Sequence, residues 1–149
     1  MSRTDEYLPT ENEGKNKPLG KLVMVIDDSP TVSKIVEITL QRESFEVATY
    51  PDGVAAFQAL SSGAVRIPDL VILDLGLPQM DGFEVARLFK NRPRLFAHTI
   101  IVILTRREGL LDQLKGRLAG AQAYLFKPCT QQELVSVVTS YLGVPLASP

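Results

Sequence analysis

Five residues of this 149-residue chain could do chemistry together, and each stands at the end of a short apolar run. Asp27 and Asp28 follow "KLVMVI" (21–26), and Asp74 follows the apolar part of "DLVILDL" (69–75). Thr105 closes "TIIVILT" (99–105), and Lys127 closes "AYLFK" (123–127). Unbroken apolar runs of this length are what strands covered on both faces look like. In a parallel sheet the C-terminal ends of all strands share one edge, so the five side chains would meet there. Three carboxylates side by side repel and raise one another's pKa unless a cation neutralises them. Mg²⁺ suits such a set, since it takes one or two carboxylates, keeps several waters and accepts a substrate phosphate. Lys127 would supply a point charge for a phosphoryl oxygen, and Thr105 a hydroxyl donor. A metal, a cation and a donor around one carboxylate describe phosphoryl transfer onto that carboxylate. Taken singly, each of these residues is an ordinary loop charge or polar group at the rim of a domain.

The elements that would position them alternate along the chain. "KLVMVI" leads to Ser29-Pro30, an N-cap with proline at the first helical position, and a helix to about residue 43. "FEVATY" (45–50) precedes a helix over 53–62, and "DLVILDL" precedes a helix over 83–91. Asp81 and Glu84 give that helix a capping-box pattern, as Thr130 and Glu133 do for the helix over 131–142. "TIIVILT" precedes a helix over roughly 108–118, for which Thr105 is a rival N-cap through Glu108. Gly109 and Gly116 lie inside it, each costing about 0.5–1 kcal/mol relative to Ala, so it is expected to be the least stable helix. Five β-then-α units predict an α/β fold: a doubly wound five-stranded parallel sheet, flavodoxin-like (βα)5, with helices on both faces. The expected domain covers 21–143, between a polar N-terminal tail over 1–20 and a C-terminal tail over 144–149.

Composition narrows the function classes. Sixteen Lys and Arg against 17 Asp and Glu leave a net charge of −1, which offers no electrostatic case for nucleic acid. No apolar run approaches the ~20 residues needed to cross a bilayer, and the N-terminus lacks the apolar core of a secretory signal. The cytoplasm is the default reading. Cys129 is the single cysteine, so no disulfide framework or cysteine metal site is expected. It reads as buried filler, with a thiol acidified by the following helix N-terminus as the rival. His98 and the Lys90, Arg92, Arg94 cluster read as solvated surface. Neither G-x-G-x-x-G nor G-x-x-x-x-G-K-[ST] follows any strand, which disfavours nucleotide binding.

The runs "VIDDSP" (25–30), "DLGLPQMDG" (74–82), "LTRR" (104–107) and "GAQAYLFKP" (120–128), with their spacings, resemble the receiver domains of two-component response regulators. The resemblance spans about 21–143 and implies that Asp74 is the phosphoacceptor. Asp28, Asp74 and the Gly76 carbonyl would bind Mg²⁺, with Asp27 acting mainly through a bound water. Thr105 would swing toward the phosphoryl group and Lys127 would neutralise it, while backbone N–H groups at Gly76 and Arg106 would meet its oxygens. Lys127-Pro128 would be a cis peptide, and Tyr124 would be the switching aromatic. The output face would combine the helix over 108–118, the strand over 123–127 and the helix over 131–142. Arg106 departs from the usual small residue and is expected to cover the site in part; Gly76, where receivers often carry something larger, opens the other flank. A sensor histidine kinase or phosphotransfer protein is implied as phosphodonor. With no effector domain in view, output is expected through a downstream protein, from a monomer or a phosphorylation-dependent dimer. The rival readings are an interaction scaffold that is never phosphorylated and an aspartyl-phosphate phosphatase. The latter is disfavoured because Gly76 stands where such enzymes carry a second acid.

Overall fold

In the computed structural model the described residues are 20–76, 81–106, 115 and 119–145. The expected N-terminal tail up to residue 19, all of the helix expected over 108–118 except residue 115, with Gly109 and Gly116, and the last four residues lie outside them.

Among the described residues the elements follow in order: β1 (Leu22–Ile26), α1 (Pro30–Arg42), β2 (Glu46–Tyr50), α2 (Gly53–Ser62), β3 (Leu70–Leu73), α3 (Gly82–Lys90), α4 (Pro93–Phe96), β4 (Ile100–Thr105), β5 (Ala123–Phe126) and α5 (Gln131–Leu142). The strands form one sheet in the order β2-β1-β3-β4-β5, every neighbour parallel. The doubly wound parallel fold is therefore the one expected. Its register aligns Ile26 with Tyr50 on one side and Leu73 on the other, and Leu73 with Ile103. The residues that follow these positions come out side by side.

The unbroken apolar runs find their reason in two buried layers. Met24, Ile26, Val71, Leu73, Ile101 and Ile103 point to one face, where Ala56 of α2 and Val85, Ala86 and Phe89 of α3 cover them. Val23, Val25, Leu70, Ile72, Val102 and Leu104 point to the other, under Val36 and Leu40 of α1 and Leu134 and Val138 of α5. Each such aliphatic side chain contributes about 1.5–3 kcal/mol relative to exposure, which makes this period-2 division the main determinant of register.

Helix starts follow the capping residues. Ser29 Oγ accepts from Val32 N, Asp52 Oδ1 accepts from Ala55 N, and Asp81/Glu84 and Thr130/Glu133 complete reciprocal capping boxes. Two sequence expectations are corrected. The third strand is Leu70–Leu73, shorter than 69–75: the flanking Asp69 and Asp74 keep backbone hydrogen bonds to the neighbouring strands, while their side chains accept from the backbone N–H groups of Leu22 and Gly76. The segment around Lys90, Arg92 and Arg94 is more than a solvated turn. Pro93 starts the single turn of α4, the Arg92 guanidinium lies 5.7 Å over the Phe57 ring, and the Lys90 side chain runs across Gly120.

Candidate functional site

Parallel register carries three carboxylates, a hydroxyl and an ammonium to the C-terminal edge of the sheet. One residue past β1, the Asp27 N–H donates to the Tyr50 carbonyl at 3.1 Å. One residue past β3, the Asp74 N–H donates to the Ile26 carbonyl at 3.0 Å. Thr105 ends β4, and its carbonyl accepts from Lys127 N at 2.8 Å. The backbone ladder thus fixes where Asp27, Asp74, Thr105 and Lys127 start, and their side chains have only to turn inward.

Those side chains form one charged cluster. Carboxylate oxygens of Asp27, Asp28 and Asp74 all lie within 4.8 Å of one another. Asp27, Asp74 and Thr105 are buried, whereas Asp28 is exposed. Lys127 Nζ donates to Asp27 Oδ2 at 2.8 Å and stands 3.7 Å from Asp74 Oδ1. Asp27 Oδ1 also accepts from Ser29 N at 2.9 Å, and its carbonyl accepts from Ser33 Oγ at 3.3 Å. Among the described residues the carboxylate nearest to the Lys127 ammonium is that of Asp27.

Asp74 is the less satisfied carboxylate. Its Oδ1 accepts from Gly76 N at 3.3 Å, beyond the usual range for such bonds. Burial, and after it the Asp27 charge, push its carboxyl above the ordinary 3.8; the Gly76 N–H and Lys127 pull the other way without cancelling them. An oxygen-ligated divalent cation fits this donor set, since it would relieve the repulsion that raises Asp74. Asp27, Asp28 and Asp74 would hold it.

Gly82 starts α3 and also makes a close backbone approach. A Cβ built there would lie 2.5 Å from the Asp74 carbonyl oxygen and 2.9 Å from Leu75 Cα. The Gly82 N–H donates to the Leu75 carbonyl at 3.3 Å, so the loop after Asp74 closes back onto its own start. Only a residue without a side chain permits that approach. The "DG" pair was visible, but its tertiary contact was not. At Gly76, by contrast, a Cβ would meet only the Asp74 carboxylate, at 3.8 Å.

The remaining expected residues are placed as follows. Lys127-Pro128 is cis, as the resemblance implied. Tyr124 is half-buried against the Met24 and Ile26 layer, its ring 6.2 Å from that of Phe126. Arg106 is exposed and joins Val32, Leu104, Cys129 and Leu134 in lining a pocket of about 200 Å³ between α1 and the start of α5. Cys129 is half-buried there, and burial together with Glu133 pushes its thiol up, opposite to helix-end acidification. His98 is exposed, as expected.

A doubly wound parallel sheet with an acidic cluster, a lysine and a threonine at one edge defines a class of α/β domain. Residues 23–139 match the response regulator receiver domain, and the chain belongs to that family. It is 35% identical over 130 residues to protein PilG of Pseudomonas aeruginosa, covering 87% of this chain and 92% of PilG. It is 37% identical to the DNA-binding response regulator MtrA of Mycolicibacterium smegmatis over 80% of this chain, and spans 50% of that relative's length. Among solved structures, the Vibrio cholerae chemotaxis protein CheY4 superposes with a TM-score of 0.74 at 28% identity, covering 82% of this chain and 98% of CheY4. Among the described residues, no helix is long and apolar enough to cross a membrane.

Proposed function

We propose that the chain is a phosphorylation-driven switch in which Asp74 accepts a phosphoryl group from a phosphohistidine donor. The observation that carries this reading is the position of Lys127 Nζ, 2.8 Å from Asp27 Oδ2 and 3.7 Å from Asp74 Oδ1. One ammonium is shared between a buried carboxylate that holds it and a second whose hydrogen bond among the described residues is the long one from Gly76. An Asp74 oxygen attacks phosphorus, the P–O bond forms as the donor's P–N bond breaks, and the electron pair returns to the imidazole nitrogen. Lys127 then turns part of its charge to the new phosphoryl oxygens while keeping Asp27 as its anchor. Mg²⁺ held by Asp27, Asp28 and Asp74, with the Gly76 carbonyl, would supply positive charge for the phosphoryl oxygens and the carboxylates alike.

The other roles follow from position. Thr105 ends the strand beside Lys127, within reach of a hydroxyl swing toward the phosphoryl group, and backbone N–H groups of Gly76 and Arg106 flank the same edge. Tyr124 lies two residues before Phe126, the Thr105 register partner, so a Thr105 movement reaches the ring through β4 and β5. Phosphorylation would thereby change how the β5–α5 side meets a downstream protein. Ile35, 50% exposed, and Ile38 on α1 give a phosphodonor's helix an apolar surface to rest on. The fold domain is taken as 21–143.

Beryllofluoride with Mg²⁺, an acyl-phosphate mimic, tests this by NMR. Amide signals of Gly76, Thr105, Tyr124 and Lys127 should shift in the parent chain and stay still in Asp74→Asn. Shifts that persist in Asp74→Asn, or none in either, would contradict the reading.

A further inference from the structure

On the face opposite α1 and α5, α2 and α3–α4 leave a groove of about 820 Å³ between them. Its walls are mainly apolar: Val54, Phe57 and Leu60 from α2, and Leu88, Leu95 and Phe96 from α3 and α4, with Ile67 at one end. Val54 and Ile67 are each 40% exposed and Leu95 is 55% exposed. They account for three of the seven large apolar side chains exposed among the described residues, which concentrates the exposed apolar surface here. Arg92 also lines the groove, held over Phe57, and Arg94 follows on α4. The groove is thus mainly apolar with the Arg92 guanidinium on one wall and Arg94 outside its lining.

The chain itself contains a segment of complementary chemistry. "DEYLP" (5–9) places Tyr7 and Leu8 between Asp5 and Glu6 on one side and Pro9 on the other. The point from which that segment is tethered is fixed. Gly20, the first described residue, is bound at both ends: its N–H donates to Glu46 Oε2 at 2.9 Å, and its carbonyl accepts from Arg66 Nη2. Arg66 precedes Ile67, so the chain enters the domain beside the Ile67 end of the groove. From Gly20 back to Leu8 is 12 residues, a reach of up to about 40 Å. The ten-residue α2 that forms one wall is only about 15 Å long.

We propose that the segment 5–9 docks in this groove, with Tyr7 and Leu8 against Val54, Phe57 and Leu95, and Asp5 and Glu6 against Arg92 and Arg94. A tethered segment needs little intrinsic affinity, because the short linker gives it an effective concentration in the millimolar range. Aromatic and aliphatic anchors with an acidic flank match a groove that offers apolar walls and the Arg92 guanidinium. The docked segment would cover the exposed apolar patch in cis. A protein carrying a similar acidic-apolar stretch would have to displace it.

The test uses the full chain with Cys129→Ser and a spin label on Thr10→Cys. Paramagnetic loss of the Val54, Leu88 and Leu95 amide signals is expected, beyond any loss close to Gly20. Those signals should return in Tyr7→Ser/Leu8→Ser and in Leu95→Glu, the latter an exposed site whose change leaves the fold intact. Loss confined to Gly20, Glu46 and Arg66 would overturn the proposal, as would loss that survives both variants. Spin-labelled chain mixed with unlabelled, isotope-enriched chain separates the sources. Signal loss in that mixture would mean a second copy fills the groove, and the cis proposal would fail.

Discussion

The two edges of this sheet use the same residue types for opposite ends. At the N-terminal edge, Asp69 Oδ2 accepts from Leu22 N at 2.8 Å and Thr99 Oγ1 donates to the Pro68 carbonyl at 2.8 Å. Gln122 Oε1 there accepts from Ile101 N, also at 2.8 Å. Each polar side chain satisfies a backbone group that the ladder leaves over, so the edge is closed and quiet. At the C-terminal edge, Asp74 and Thr105 leave the far ends of the strands that Asp69 and Thr99 introduce. There, among the described residues, Asp74 faces carboxylates and one shared ammonium at 3.7 Å, with a long N–H bond from Gly76. An aspartate whose oxygens are spoken for by backbone amides is structural; one held against like charges is kept ready for a cation and a phosphoryl group. The partner, not the residue type, separates the two roles.

Breaking the tie between Lys127 and Asp27 at the reactive edge should have the largest effect. Lys127→Ala leaves Asp27 buried without its ammonium and is expected to cost about 3 kcal/mol in chemical denaturation without metal. Added Mg²⁺ should restore part of that loss, because it replaces positive charge among the same carboxylates. A loss below experimental error would mean that the acidic edge is as well satisfied as the opposite one.

Gly82→Ala comes next. Its methyl group would press on the Asp74 carbonyl and Leu75 Cα, at a cost of about 2 kcal/mol, with Asp74 displaced. Gly76→Ala, at the near end of the same loop, should stay within about 0.5 kcal/mol of the parent. Equal effects at the two glycines would remove the distinction between the close approach and the open flank.

The contrast between the two aspartates sharpens with pH. Asp69→Ala strands the Leu22 N–H and should cost about 1 kcal/mol at neutral pH, with phosphorylation intact. Asp74→Asn should move the other way when metal is absent. The folded chain holds the Asp74 proton more tightly than the unfolded chain, whose value is 3.8. The stability tied to that proton is fully present below 3.8 and is lost as pH rises through the raised folded value. Asn carries no charge, so the Asp74→Asn advantage should be absent at low pH and grow across that window. Thermal melts from acid to neutral pH give the comparison, and an advantage that shrinks with rising pH would contradict it.

Much of this was legible in the sequence because its causes are local. Apolar runs such as "KLVMVI" must be covered on both faces, and Ser29-Pro30, Asp81/Glu84 and Thr130/Glu133 stop and start helices through contacts within four residues. Asp27, Asp28, Asp74, Thr105 and Lys127 could be grouped because parallel strands share an end. The parts that escaped depend on distant partners. Gly82 matters for an approach to backbone seven residues away across a loop, and Lys127 takes Asp27 first, a partner 100 positions distant. Arg106 lines a pocket between α1 and α5 together with Lys127, a neighbourhood that no spacing could have told. The single turn of α4 was hidden among arginines that suggested solvent, although Leu95-Phe96 after Pro93 was the available signal.

The central claim is that Asp74 is the nucleophile of the acidic edge. Intact-mass spectrometry of the parent chain and of Asp74→Asn, each incubated with Mg²⁺ and a small acyl-phosphate donor, tests it directly. The account predicts one added phosphoryl group on the parent, none on Asp74→Asn and none on either after Mg²⁺ is chelated. An adduct that persists in Asp74→Asn, or a parent chain that remains unmodified, would contradict it.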